Sequence, residues 1–435
     1  MKGHVRRRGA GYVYVVELDR DTDGKRRQRW RSGFRTKREA ESALTDALAA
    51  LKAGEDVAPD KLTVGAFLTD RWLPSAAATL RPGTLSLYET LVRVHVAPAI
   101  GGRRLQGLTG ADLNRLYAQL AAEGSEEGRG PLGTHAVRRV HGVMHRALRD
   151  AVRWKAVARN VADDADPPLP SAQQREMSTW DAEQLGRFLE AADGLAKERT
   201  VAGTRHSRKG AEYTYTRTRA ADPMQVALWY TSALTGMRRG EVAGLRWSDL
   251  DLAEGTASVQ RARVMVDGAV QVSSPKTARG RRVVSLDPLV VAELRRWRAT
   301  QLEEFMRYRA AWHDREPTAD GKGRPRHIFT HLVRSAGQAR EDRYGVPIRP
   351  DWMCSAFRAL AAEAALPSIR LHDLRHTWAT LAFQANAHPK TVSDQLGHAN
   401  ISVTLDIYSH VLPGLQAEAT SRVAALVQAA RKEGR

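Results

Sequence analysis

Four segments in the second half of the chain carry side chains that could together act on a phosphodiester bond. They read TGMRRGE (235–241), PKTARGRR (275–282), LHDLRHTWAT (371–380) and LGHANISVTLDIYSHV (396–411). The last segment holds Tyr408, with His398 ten residues before it and His410 two residues after it. A free phenol has a pKa of about 10, so a tyrosine that acts as a nucleophile needs a proton acceptor and a polarised target nearby.

The residue types in these segments match what a metal-free attack on a phosphodiester requires. Arg238 and Arg375 can each donate two hydrogen bonds to the non-bridging oxygens and neutralise the charge there. His372 could accept the proton of the nucleophile, and Lys276 could give a proton to the leaving 5′-oxygen. A phosphotyrosine intermediate would conserve the energy of the broken bond, so rejoining would need no nucleotide cofactor.

The spacing of the residues supports two pairings. Arg238 and Glu241 are three positions apart, as are His372 and Arg375, and residues with this spacing share a face of a helix. The carboxylate of Glu241 could therefore hold the guanidinium group of Arg238 in place. Each motif alone is also typical of ordinary packing or solvated side chains, and their occurrence together in one basic chain is what favours catalysis.

The composition favours a polyanionic partner. The chain has 435 residues and a net charge of +19, and nucleic acid is the usual partner for such a charge, although a soluble basic protein without one is the alternative. The single cysteine, Cys354, excludes an internal disulfide and a four-cysteine zinc site, and the sequence contains neither HExxH nor a histidine cluster that would predict a metal. The longest uncharged apolar run, residues 223–237, is too short to span a bilayer. We therefore expect a soluble intracellular protein.

The first 56 residues predict a small three-stranded sheet followed by a helix. The strand-like segments are separated by glycines and a DTDG turn and lie at residues 4–8, 12–19 and 25–34. Thr36 and Glu39 have the spacing of a capping box at the start of the helix. Arg27, Arg29 and Arg31 alternate along the third strand and therefore share one face. Such a face could lie in a DNA groove or could simply be solvated.

Residues 62–170 predict an all-helical domain that ends in a proline-rich linker, DDADPPLP. Its clearest helix spans residues 133–157. Apolar residues fall on one side of this helix: Val140, Met144, Ala147, Ala151 and Trp154. Basic residues fall on the opposite side: Arg138, His145, Arg146, Arg149 and Arg153. The first side is suited to a core, and the second could contact DNA phosphates or be solvated.

Residues 176–435 predict a third domain that is mainly helical with some strands. A buried helix at 223–237 leads into the first catalytic segment, and strands at 257–286 place Lys276 at the tip of a hairpin. Residues 197–222 and 312–350 are predicted as polar, basic loops, and helices fill most of the remainder. The predicted fold is therefore a multidomain α+β chain: a three-stranded sheet with a helix, an all-α domain, and a mainly α catalytic domain with a C-terminal tail helix.

These segments together resemble the tyrosine recombinases of the phage and mobile-element integrase family. That family's order is Arg, Lys, His-x-x-Arg, His or Trp, and then Tyr. It is met at six positions, which are Arg238, Lys276, His372, Arg375, His398 and Tyr408. The resemblance covers residues 176–412 through the words TGMRRGEVAGLRWSDLD, LHDLRHTWAT and LGHANISVTLDIYSHV. The helical segment resembles the family's core-binding domain mainly by position, and the N-terminal segment resembles the arm-type DNA-binding domain of longer integrases.

The resemblance implies a role for each of these residues. Arg238 and Arg375 would clamp the scissile phosphate, and Tyr408 would attack it to leave a 3′-phosphotyrosyl DNA. Lys276 would protonate the 5′-hydroxyl, and His372 would assist proton transfer. His398 would donate a hydrogen bond to the phosphate. Glu241 would support the site structurally, and His376 and His410 would have purely structural roles.

The resemblance also implies partners. These are double-stranded DNA with core and arm attachment sites, three further copies of the chain in a homotetramer on DNA, a DNA-bending host factor and an excision factor. The free protein would be a monomer of the bacterial cytoplasm without a membrane partner or cofactor. The tail beyond residue 414 would pack on a neighbouring protomer or on its own domain. Alternatives are a type IB topoisomerase and a DNA-binding regulator without catalysis.

Overall fold

The computed structural model divides into two compact units, Met1–Gln174 and Arg175–Arg435. It describes residues 3–18, 27–52, 60–124, 130–169, 178–206, 212–274, 280–318, 321, 323–331, 344–398, 400–408, 420–421, 423–425, 427–428 and 431. Lys276 and His410 lie outside the described residues, as do the side chains of Arg27, Arg29 and Tyr408. The predicted division into domains at 1–56, 62–170 and 176–435 stays a prediction.

The N-terminal part of the first unit is a three-stranded antiparallel sheet with one helix. Its elements are β1 (Gly3–Arg8), β2 (Gly11–Leu18), β3 (Arg27–Phe34) and α1 (Lys37–Lys52), with β2 in the centre of the sheet. The Glu39 N–H donates to the Thr36 hydroxyl at 3.2 Å, so the predicted cap at the start of α1 is confirmed. Both faces of the central strand are buried, at Val13 and Val15 on one side and at Tyr14 and Val16 on the other.

The rest of the first unit is helical, as the sequence predicts. Its helices are α2 (Val64–Ala66), α3 (Leu73–Ala77), α4 (Pro82–Leu91), α5 (Ala97–Ile100), α6 (Gly110–Ala122) and α7 (Thr134–Arg153). Two π-helical turns, Phe67–Trp72 and Val92–Val96, connect α2 with α3 and α4 with α5. Thr109 caps α6 through a reciprocal hydrogen-bonded box with Asp112.

The predicted apolar face of α7 is wrong for one residue, Trp154. Val140, Met144, Ala147 and Ala151 are buried, but Trp154 is 37% exposed. The reason is that α7 ends at Arg153, so the helical period no longer governs the position of the next residue. The Trp154 ring instead packs edge-on against Phe67, with ring centroids 5.9 Å apart.

The described residues of the second unit include eight α-helices and nine strands. The helices are α8 (Ala182–Asp193), α9 (Pro223–Thr235), α10 (Arg239–Ala243), α11 (Pro288–Tyr308), α12 (Pro350–Glu363), α13 (Asp373–Gln384), α14 (Pro389–Leu396) and α15 (Ile401–Tyr408). The strands are β4 (Arg199–His206), β5 (Glu212–Arg219), β6 (Leu250–Asp251), β7 (Thr256–Val259), β8 (Ala262–Val266), β9 (Ala269–Ser273), β10 (Arg282–Ser285), β11 (Arg315–Glu316) and β12 (Arg324–Pro325).

Two expectations about the second unit are wrong. Residues 197–222 contain an antiparallel hairpin, β4–β5, where a loop was expected, because the alternation in EYTYTRTR is that of a strand although it has few apolar residues. The strands on either side of Lys276 do not form a hairpin with each other, since β9 pairs with β8 whereas β10 pairs with β7. Within the predicted loop at 312–350, β11 and β12 form a short ladder, and residues 332–343 lie outside the described residues.

An aromatic cluster forms the centre of the second unit. Trp180, Phe188, Trp229 and Phe357 are all nearly fully buried, and their ring centroids lie 5.2 to 6.1 Å apart. Trp229 belongs to α9, a helix that is buried on most sides and leads directly into the first catalytic segment. This core therefore fixes the position of the chain at residues 235–241. In the described part of the chain, no helix is both long and apolar enough to cross a membrane.

Candidate active site

The first catalytic segment begins where α9 ends. Gly236 takes a left-handed conformation with φ of +66°, and a Cβ at this position would lie 2.8 Å from Leu396 and 2.9 Å from the ring of Trp378. Only glycine fits both the conformation and the space. The turn places Arg238 just before α10, where Glu241 stands in the first turn. The Arg238 backbone N–H and guanidinium group each donate to a different oxygen of Glu241 at 2.9 Å, so the predicted pairing of these residues is confirmed.

Glu241 holds a second arginine that the sequence analysis did not single out. Arg282, the first residue of β10, donates to the two Glu241 oxygens at 2.8 and 3.1 Å, and both side chains are almost fully buried. Burial alone would raise the pKa of Glu241, but the hydrogen bonds and charges of Arg282 and Arg238 outweigh it and keep that pKa below its usual value. The sequence did contain a signal that Arg282 points inward. It stands two positions before the buried Val284 in β10 and therefore shares the inward face of that strand.

Three arginines converge on the carboxyl end of α14. The guanidinium group of Arg282 donates to the Gln395 carbonyl at 2.7 Å, that of Arg375 to the Leu396 carbonyl at 2.7 Å, and that of Arg238 to the Gly397 carbonyl at 3.3 Å. These acceptors are three consecutive carbonyls. The last carbonyls of a helix have no partner within it, and that end carries partial negative charge, so cations are stabilised there. The end of α14 therefore brings together three side chains that are far apart in the sequence.

Arg375 is the most deeply fixed of the predicted catalytic arginines. It lies on α13 with only 3% of its surface exposed, and it also donates to the Gly236 carbonyl at 2.7 Å. Arg238, by contrast, keeps 41% of its side chain exposed. One guanidinium group is thus held by backbone carbonyls inside the protein, and the other borders on solvent. An anion can approach the pair from the side of Arg238.

His372 lies at the start of α13, three residues before Arg375. Its ring meets that of His376 edge-on, with centroids 5.2 Å apart. Burial, reinforced by the charges of His376 and Arg375, lowers the pKa of His372 to about 4. The imidazole is therefore neutral at physiological pH and can accept a proton.

His398 follows α14 and Gly397, which takes φ of +68° and whose missing Cβ leaves room for Arg282 at 2.9 Å. Its Nδ1 lies 2.7 Å from the hydroxyl of Thr404, a fully buried residue of α15. Burial, reinforced by the charges of Arg375 and Arg238, lowers the pKa of His398 to about 4. Thr404 was missed by the sequence analysis, because nothing in its local sequence distinguishes it from other buried threonines.

Tyr408 is the last residue of α15. It stands four positions after Thr404, one helical turn away, so the two positions share a face of the helix. Thr404 itself contacts the His398 ring. The structure thus brings together Arg238, Glu241, His372, Arg375 and His398, with the backbone of Tyr408 on the adjoining helix. Lys276 falls in residues 275–279, which lie outside the described residues.

Replacement of Arg282 by alanine should strongly destabilise the second unit. The substitution removes the two hydrogen bonds of Arg282 to the buried Glu241 carboxylate and its bond to the Gln395 carbonyl, and loss of hydrogen bonds to a buried charged group should cost at least about 1.5–3 kcal/mol. Denaturation with urea measures the change in the free energy of unfolding. Arg349→Ala is a matched control, because it removes an exposed pair with Asp351 and should leave the unfolding midpoint nearly unchanged. Equal effects of the two substitutions would contradict the role given to Arg282.

The two neutral histidines should make stability depend on pH in a defined window. Their pKa falls from 6.5 in the unfolded chain to about 4 in the folded one, so between these values the unfolded chain binds more protons. The free energy of unfolding should therefore decrease as the pH is lowered from 6.5 to 4. Urea denaturation gives the free energy of unfolding at each pH for the wild type and for a His372→Gln, His398→Gln double variant. The difference between the two free energies isolates the contribution of the histidines. A difference that is constant with pH would show that the histidines are not neutral in the fold.

The N-terminal sheet presents two different faces. The register pairs Arg29 with Val16 and Arg31 with Tyr14, which confirms that the alternating arginines share one face. Gly3 belongs to this face, and a Cβ on it would lie 2.6 Å from Leu44 of α1, so α1 covers this side. DNA contact by Arg27, Arg29 and Arg31 stays a prediction. The opposite face carries Arg6, whose guanidinium carbon lies 3.8 Å from the centre of the Trp30 ring.

The predicted basic face of α7 is only partly free of other contacts. Arg138 donates to the Pro168 carbonyl at 3.0 Å, Arg146 lies over the Tyr88 ring, and Arg153 pairs with Asp150. Arg149 is exposed. All four arginines remain on the side away from the core, but the structure does not test their contact with DNA. Among the described residues, no group of three or more His, Cys, Asp or Glu could hold a metal ion.

Matches to family models and relatives indicate an enzyme that breaks and rejoins DNA. Residues 211–414 match the phage integrase family, and residues 4–51 match an arm DNA-binding domain. All six predicted catalytic positions lie within the first of these matches. The chain therefore carries a phage integrase family domain together with an arm DNA-binding domain, which agrees with its resemblance to the tyrosine recombinases.

Comparison with individual proteins agrees with this assignment. The chain is 24% identical over 417 residues to a tyrosine recombinase XerC-like protein of Caldanaerobacter subterraneus subsp. tengcongensis, covering 92% of this chain and 93% of the relative. It is 25% identical over 406 residues to an integrase of Streptomyces ambofaciens, covering 91% and 88%. Its fold is similar to that of the Tn1549 transposon integrase, solved in complex with a circular intermediate DNA, with a TM-score of 0.58, 17% identity, and coverage of 83% of this chain and 99% of that one.

Proposed function

We propose that the chain is a site-specific recombinase that cleaves and exchanges DNA strands between attachment sites, for integration and excision of a phage or mobile element. The observation that carries the proposal is the cluster at the end of α14. Three guanidinium groups bind the turn there, and two neutral imidazoles lie within range of their charges. The same turn leads into the helix that ends at Tyr408.

The proposed reaction balances without a cofactor. The Tyr408 oxygen forms a bond to phosphorus as the bond from phosphorus to the 5′-oxygen breaks, which leaves a 3′-phosphotyrosyl DNA. The phenol proton passes to a ring nitrogen of His372, and Lys276 protonates the leaving 5′-oxygen. Attack by a 5′-hydroxyl of another strand reverses these transfers and rejoins the DNA. Because one phosphodiester replaces another, no external energy source is needed.

The charges of the site favour the transition state of this reaction. Arg238 and Arg375 donate to the non-bridging oxygens, where negative charge accumulates. If the Thr404 hydroxyl donates to Nδ1 of His398, then Nε2 carries the proton and can donate to the same phosphate. Entry of the phosphate also raises the pKa of His372, which makes that ring a better proton acceptor when substrate is bound.

The partners follow from this proposal. The second unit would bind core sites on double-stranded DNA, and the N-terminal sheet would bind arm sites. On that sheet Arg6 and Trp30 are both exposed on the face opposite the one that α1 contacts, and these two side chains would contact the DNA groove. A homotetramer would form on DNA from free monomers in the bacterial cytoplasm, assisted by a bending host factor and an excision factor. The proposed domain limits are 1–56, 62–170 and 176–435.

The test begins with a pool of random-sequence duplexes. The protein is mixed with the pool and denatured, and DNA that remains covalently attached is recovered and sequenced; these are the captured duplexes. Two captured duplexes of different length should then yield recombinant products of predictable size. Relaxation of supercoils without recombinants would favour a type IB topoisomerase, and binding without capture would favour a regulator. Arg6→Ala or Trp30→Ala should weaken binding to arm-site duplexes and leave capture at core sites intact.

A further inference from the structure

We infer that Arg239 and Arg358, which line a cleft beside Arg238 and His372, hold the DNA phosphates that neighbour the scissile one. The cleft has a volume of about 720 Å³ and lies entirely in the second unit. Arg238 and His372 line it together with Arg239, Arg358 and Arg370. The inference rests on the proposed function, because it assumes that the phosphate under attack lies between Arg238 and Arg375.

Two of the arginines in the cleft carry charges that no neighbouring acid neutralises within the described part of the chain. Arg239 donates to the Cys354 sulfur at 2.8 Å, and the Arg358 Nε donates to the Cys354 carbonyl at 3.3 Å. Neither contact neutralises a positive charge, and both side chains are exposed. Several like charges that face one concave space repel each other unless a polyanion enters.

Arg370 differs from these two arginines. It donates to both oxygens of Asp373, at 2.8 and 3.0 Å, and Asp373 is almost fully buried at the start of α13. Arg370 therefore fixes the segment that carries His372, although 67% of its side chain remains exposed toward the cleft. It acts as a positioning residue, and the free charges of Arg239 and Arg358 are the ones available to DNA.

The neutral part of the lining suits a phosphate backbone as well. Ser178 and Ser368 are exposed at the cleft and offer hydroxyl donors, which contact DNA phosphates without reading sequence. Arg239 lines the same cleft as Arg238. Arg358 lies one helical turn from Cys354 on α12 and faces the same space. Arg239 and Arg358 would thus hold the phosphates that neighbour the scissile one.

The single cysteine of the chain provides a direct test. Cys354 lines the cleft, is partly exposed, and is the only thiol that a maleimide can label. A mixed-sequence duplex at low salt serves as the probe, with its binding measured separately by mobility shift. Saturation with this duplex should slow the alkylation of Cys354 about tenfold or more, because access governs thiol labelling. Labelling at the rate of the free protein while the duplex is bound would overturn the inference.

Variants of the free arginines provide the second measurement. Arg239→Ala and Arg358→Ala should each lower the rate of adduct formation on captured duplexes about tenfold, which matches the loss of one charged hydrogen bond. Arg307→Ala removes an exposed arginine of α11 outside the cleft and should leave that rate unchanged. Wild-type rates for both cleft variants would overturn the inference. Protection of Cys354 without any adduct in the wild-type protein would instead contradict the proposed function, and the cleft would then be a DNA-binding surface without a scissile phosphate.

Discussion

Tyr408→Phe should abolish the covalent adduct between the protein and a captured duplex that carries a nick at the cleavage site. The substitution removes the one oxygen that we propose to form the bond to phosphorus, and no other group of the site replaces it. The nick lets the short cleaved strand diffuse away, so the wild-type adduct accumulates and survives denaturation. The measurement is a shift in protein mobility on a denaturing gel. We expect a shift for the wild type and none for the variant.

A second tyrosine provides the matched control for this experiment. Tyr230 lies on α9 in the same unit, and its hydroxyl donates to Asp193 at 3.2 Å. Tyr230→Phe also removes one phenolic oxygen, but at a position outside the site, and should form the adduct normally. DNA binding by Tyr408→Phe should equal that of the wild type, because phosphate contacts by arginines supply most of the affinity. An adduct with Tyr408→Phe would mean that another residue is the nucleophile.

Arg238→Ala should lower the cleavage rate about 100-fold to 1,000-fold with little change in DNA affinity. Loss of one preorganised donor to a developing negative charge typically has an effect of about this size. The substitution should not unfold the site, since Glu241 keeps its two hydrogen bonds to Arg282. Single-turnover cleavage of the nicked duplex measures the rate, and mobility shift measures the affinity.

The choice of Arg238 over Arg375 makes this result easier to interpret. Arg375 is buried and donates to two backbone carbonyls, so its removal would leave both without a partner and would also destabilise the fold. Arg238 is partly exposed, and its main partner has another arginine. Arg307→Ala controls for the loss of one positive charge from the same unit. Equal losses of binding and cleavage in Arg238→Ala would contradict the clamp role.

The local pairings could be predicted because they depend on spacing alone. Arg238 and Glu241 meet within one helical turn, and the cap formed by Thr36 and Glu39 is equally local. The hairpin β4–β5 was not predicted, because its strands carry threonine, tyrosine and arginine in place of an apolar alternation. The contact of Arg282 with Glu241 spans 41 positions, and spacing rules do not reach so far.

Residue types and their order along the chain were enough to indicate the chemistry. Guanidinium groups, imidazoles, a lysine and a late tyrosine suit attack on a phosphodiester in any fold that unites them, because the reactivity belongs to the side chains. The fold alone established that three arginines meet at the end of α14, where Arg238 contacts the Gly397 carbonyl across 159 positions and Arg282 contacts the Gln395 carbonyl across 113. It also lowered the pKa of His372 and His398 to about 4. The lowered pKa values arise from burial and from charges contributed by distant segments, and both exist only once the chain has folded.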